Sequence, residues 1–100
     1  MAQALLSIQI LPRVNPGEEV IPYVDRAIEI IKASGVPYLV GPLETTLEGD
    51  LDTLIAIVKR MNDAMFEMGS PSVLSQIKLV VNKAGEASIS KQLIKYPNGK

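Results

Sequence analysis

Between Ala2 and Leu11 the chain alternates, with Ala4, Leu6, Ile8 and Ile10 at every second position and Leu5, Ser7, Gln9 and Leu11 between them. Successive side chains of an extended chain point to opposite sides, so this spacing predicts a strand with one apolar and one mixed face. Pro12 ends it and Asn15-Pro16-Gly17 makes a turn. The period then lengthens: over residues 18–34, Val20, Val24, Ala27, Ile28 and Ile31 share one helical face. Glu18 and Glu19 fall in its first turn, where negative charge suits the macrodipole. Pro22 is tolerable only near the start, so the helix can begin later than Glu18, and Gly35 is a good terminator.

Residues 36–40 and 43–48 read as two short extended runs joined by Gly41-Pro42, which predicts a hairpin. On its second run Thr45 and Leu47 share one face, and Glu44, Thr46 and Glu48 the other. Asp50 is placed to cap a second helix, whose face is Leu51, Leu54, Ile55, Val58, Met61 and Met65, running to about Met68. Gly69-Ser70-Pro71 stops it. Residues 73–83 predict a last strand, with Ile77, Leu79 and Val81 facing one way and Gln76, Lys78, Val80 and Asn82 the other. A short helix capped by Ser88 is expected from Ser88 to Tyr96, and residues 97–100 read as a frayed tail.

The order β-α-β-β-α-β is the split pattern of an α+β, ferredoxin-like fold. It predicts one domain over residues 1–100: an antiparallel four-stranded sheet, two helices on one face, and the short C-terminal helix. The other sheet face must then meet water, a ligand or a second subunit.

Composition narrows the chemistry. The chain has no His and no Cys, which removes an imidazole base, a thiolate nucleophile and a nitrogen–sulfur zinc site. No metal site and no cofactor are expected. Lys and Arg number 10 and Asp and Glu 11, a net charge of −1 without a basic block, so no nucleic-acid partner is expected. No apolar run approaches the roughly 20 residues of a membrane span, and the N-terminus lacks the basic start of a signal peptide. With no cysteine, a cytoplasmic location fits. Apolar residues make up 47% of a small domain, and this predicts surface hidden in an oligomer.

Alternation gathers Ser7, Gln9, Thr46, Glu44 and Glu48 on the face away from the helices. Hydroxyls and amides donate and accept, whereas an ionised carboxylate only accepts, so the group suits a small cationic or amide-like ligand. The plain alternative is the polar side of a solvated or subunit-buried sheet. Catalysis by Glu44 or Glu48 as base is a weaker reading, because no nucleophile, metal cluster or phosphate loop accompanies them. RNA binding is weaker still, since the strands lack the aromatic pairs that stack bases.

The stretch GPLETTLEGD, Gly41 to Asp50, resembles the small thiamine-binding-protein-like family of about 100 residues, long catalogued as a conserved domain of unknown function. The likeness extends to the opening strand with Ser7, the run VDRAIEIIKASGVPYLVGP and the closing strand IKLVVNKAG. It implies a ferredoxin-like fold whose sheets pair between subunits, giving dimers that assemble into tetramers, and a non-enzymatic role in binding thiamine or its hydroxymethylpyrimidine part, for vitamin transport, storage or regulation. The matched motif positions are Ser7, Thr45, Thr46 and Glu48, with Gln9 and Glu44 added from the mixed face. Alternation turns Thr45 toward the helices unless a bulge redirects it.

Overall fold

The computed structural model describes residues 4–83. Its elements are β1 (Ala4–Pro12), α1 (Ile21–Ser34), β2 (Tyr38–Val40), β3 (Thr45–Gly49), α2 (Leu51–Glu67) and β4 (Val73–Val81). All strand pairs are antiparallel and the sheet order is β2-β3-β1-β4. This is the expected ferredoxin-like α+β arrangement. The expected helix at Ser88–Tyr96 and the tail at 97–100 lie outside the described residues.

Two ladders fix β1. Leu6 stands opposite Leu47 and Leu79, and Ser7 opposite Thr46 and Lys78. Ala4, Leu6 and Ile8 are buried in one cluster with Leu47 of β3, Ala27, Ile30 and Ile31 of α1, and Leu54, Ile57 and Met61 of α2. The core is therefore one aliphatic layer between the sheet and two helices. Tyr23 is its aromatic member.

Several boundaries and faces differ from the sequence expectation. Helix α1 begins at Ile21 rather than Glu18, which leaves Val20 as an exposed N-cap and Pro22 where no intrahelical N–H is needed. Its buried stripe is Tyr23, Ala27, Ile30 and Ile31, rotated from the Val20–Val24–Ile28 face. In α2, Ile57 and Ala64 are buried while Ile55 is exposed, the same kind of rotation. The hairpin strands are shorter than expected and β3 extends to Gly49, because Leu5 opposite Glu48 and Ala4 opposite Gly49 continue the ladder. Asp50 does cap α2, its carboxylate accepting from the Thr53 amide at 3.1 Å and the Thr53 hydroxyl at 2.8 Å. Gly35 ends α1 at φ +81°, a left-handed conformation that favours glycine.

Glu18 is not a helix-turn residue; it ties the loop before α1 into a knot with the end of α2. Its Oε1 accepts from the Asn15 amide and from Asn15 Nδ2, both at 2.9 Å, and the carboxylate also faces the Tyr23 hydroxyl at 3.1 Å. Asn15 Nδ2 donates in addition to the Gly69 carbonyl at 3.0 Å. A second polar tie joins helix to sheet: Asn62 Nδ2 donates to the Val58 carbonyl at 2.9 Å and to Ser75 Oγ of β4 at 3.2 Å.

Two predictions follow from this packing. Leu47→Ala removes a side chain of zero exposure from the centre of the core, and should cost about 2–5 kcal/mol in urea unfolding. The hydrogen bonds from Asn15 hold the Glu18 carboxyl below its usual range. Its contribution is thus complete at neutral pH, declines as the pH falls through the ordinary carboxylate value of about 4.3, and is gone below the lowered folded value. Glu18→Gln should flatten the acid side of a stability–pH profile while changing the slope above pH 6 little.

Candidate functional site

On the face of the sheet away from the helices, register places side chains in cross-strand rows. One row is Leu39–Thr46–Ser7–Lys78. A second pairs Gln9 with Gln76, and Glu44, immediately before β3, lies at its β3 end. A third is Glu48–Leu5–Val80. Rows on one face are about 7 Å apart, and neighbours within a row about 5 Å.

The first two rows border a cleft of about 560 Å³, lined by Gln9, Glu44, Thr46, Gln76 and Lys78 together with the turn Gly41–Leu43. The turn is closed by the Gly41 amide donating to the Glu44 carbonyl at 2.9 Å. A Cβ on Gly41 would lie 2.8 Å from that same carbonyl oxygen, so the close approach requires glycine. The turn in this form places Glu44 at the cleft, where its Oε1 lies 3.5 Å from Lys78 Nζ.

The six candidate residues do not share one place. Gln9, Glu44 and Thr46 line the cleft. Ser7 stands between Thr46 and Lys78 in the row, 9% exposed, and its hydroxyl is buried without a hydrogen-bond partner among the described residues. A polar group left so costs about 1–3 kcal/mol, which marks the position as unusual for a merely structural sheet. Glu48 lies a row beyond Ser7 and borders neither the cleft nor its neighbour on the other sheet face. Thr45 pairs with Ile8, on the helix side, with no bulge to redirect it. It lines a smaller cavity of about 250 Å³ between α1, β1 and the same turn, which Gln9 and Glu44 also border along with apolar residues such as Val24, Ile28 and Ile31.

Sequence reasoning left Gln76 and Lys78 out of the site, although the alternation of the last strand already put both on this face. The signal that would have included them is register: Gln76 is opposite Gln9 and Lys78 opposite Ser7. Among the described residues no group of three or more acidic side chains could hold a metal ion, and no helix is long and apolar enough to cross a membrane.

Of the two cavities, only the open-face cleft falls within the roughly 300–1,000 Å³ usual for small-molecule sites and combines it with convergent polar groups. Its chemistry is a carboxylate, an ammonium, two amides and a hydroxyl on a rigid antiparallel sheet. Such a set can read the edge of a heteroaromatic ring and offset a charge.

Comparison with known proteins agrees with the fold and gives the site a context. A UPF0045 protein of Clostridium perfringens is 41% identical over 80 residues, 80% of this chain and 83% of that one. A domain of unknown function, DUF77, from Bacillus cereus superposes with a TM-score of 0.86 at 36% identity, covering 97% of this chain and 93% of the other. A Thermotoga maritima protein named as a candidate for thiamine biosynthesis or salvage superposes with a TM-score of 0.80 at 31% identity, over 94% and 98% of the two chains. Residues 6–96 match the family described as thiamine-binding protein, and with nearly the whole chain inside that match, this protein belongs to the thiamine-binding protein family.

Proposed function

We propose that this protein binds thiamine, or its hydroxymethylpyrimidine part, in the open-face cleft, and acts in vitamin transport, storage or regulation without catalysing a reaction. The observation that carries the reading is the convergence of Gln9, Glu44 and Thr46 on one cleft of ligand size, in a chain of the thiamine-binding family. Thiamine combines a permanently cationic ring with an aminopyrimidine that both donates and accepts. Glu44 faces the positive charge, and the Gln9 amide and Thr46 hydroxyl face the pyrimidine edge. Ser7 backs the same row with a hydroxyl in need of a partner. Thr45, on the other side of the sheet, supports the turn region rather than the ligand.

Isothermal titration with thiamine and with hydroxymethylpyrimidine tests this directly. Both should give saturable heat, and Glu44→Gln should weaken thiamine about tenfold, the scale of one charge-assisted hydrogen bond. Glu48→Gln should leave the affinity unchanged. Absence of heat and of a thermal shift at millimolar ligand overturns the reading, and sensitivity to Glu48 instead of Glu44 overturns the assignment of the cleft.

A second feature favours an oligomer formed from copies of this chain. Strand β4 pairs with β1 on one side and with no described strand on the other, and Leu74, Ile77, Leu79, Val80 and Val81 are 42–58% exposed. A nine-residue apolar edge with one charged side chain is a template for pairing. An antiparallel pairing of β4 with itself uses the same strand from both copies, as two-fold symmetry requires. We propose that homodimers form along this edge and associate further into tetramers. Light scattering on a size-exclusion column should give a dimer or tetramer mass, and Leu79→Lys should shift it toward monomer; a monomer for the unaltered chain overturns this.

A further inference from the structure

Glu44 and Lys78 are the only ionised side chains that line the cleft among the described residues. They carry opposite signs and lean together across the sheet, 3.5 Å apart, with the Lys78 side chain 80% exposed and that of Glu44 35%. An ion pair this accessible contributes little and opens readily. Their backbones are set apart by two strand spacings and one row, about 12 Å, so the two charges can separate widely when a ligand enters. A ligand that is only a cation would take Glu44 and leave the Lys78 ammonium beside a like charge. One that carries a cation at one end and an anion at the other satisfies both groups at once.

We propose that the cleft selects the phosphate ester of its ligand, with Lys78 holding the phosphate and Glu44 the cationic ring. This rests on the reading of the cleft as a thiamine site and adds its specificity. The neighbour of Lys78 on its own strand suits a phosphate: the Gln76 amide stands two residues along the same strand face and also lines the cleft. It can donate to phosphate oxygens and brings no negative charge. Lys78 is thus a specificity-determining residue rather than a partner that merely neutralises Glu44.

Titration of the full chain with thiamine, thiamine monophosphate and inorganic phosphate, at low and at high salt, tests the assignment. Thiamine monophosphate should bind about tenfold or more tightly than thiamine at low salt, the gain of one charge-assisted contact, and the gap should narrow as salt rises. Lys78→Gln should abolish the preference by weakening thiamine monophosphate relative to thiamine, and Lys78→Arg should retain it. The high exposure of Lys78 makes both variants compatible with folding, and circular dichroism checks this. Equal affinity for thiamine and its monophosphate, or a preference that survives in Lys78→Gln, overturns the inference and leaves the thiamine site standing. Inorganic phosphate binding as tightly as the monophosphate overturns it too, since the anion alone would then be the ligand. Failure of every thiamine compound to bind overturns both readings together.

Discussion

The hydrogen-bonded register of β1 is the constraint on which the rest of the structure depends. As the central strand between β3 and β4, β1 sets which residue of each neighbour shares a face with Leu6 and which with Ser7. A slip of one residue against β3 would carry Thr46 under the helices and bring Leu47 out. The buried faces of Leu6, Ile8 and Leu47 against α1 and α2 oppose such a slip. Hydrophobic burial on one side of the sheet thereby fixes polar geometry on the other, with no direct contact between the two.

Much of this was legible in the sequence because two-residue alternation in β1 and β3 is nearly unbroken. The strand order, the helix layer and the membership of Gln9, Glu44 and Thr46 in one face all descend from that pattern. Asp50 as a helix cap was equally readable, since the local chemistry of an Asp before an amphipathic run is sufficient. The helix faces were less so. Tyr23 and Ile30 displace Val20 and Ile28 from the centre of the α1 stripe, where Tyr23 is held by the Glu18 carboxylate and by the Met68 carbonyl, and Asn15 by the Gly69 carbonyl.

The site was legible as a set of residue types but not as a place. Thr45 and Thr46 are neighbours in sequence and fall in separate cavities on opposite sides of the sheet. Glu48 belongs to the same face as Thr46, yet the cleft ends a row short of it. What locates the cleft is the turn from Gly41 to Glu44, whose reach over Gln9 depends on a backbone contact that no periodicity reports. Lys78 and Gln76 join only because β4 pairs with β1 across a long gap in sequence.

The steric limit at Gly41 also has an evolutionary reading. The glycine touches no part of the cleft by a side chain, yet any larger residue must pry the Glu44 carbonyl away and swing the acidic group out of position. Selection for a carboxylate at Glu44 is therefore also selection for the smallest residue three places earlier. Because the clash is with a backbone carbonyl, the limit at Gly41 holds whatever side chain stands at position 44.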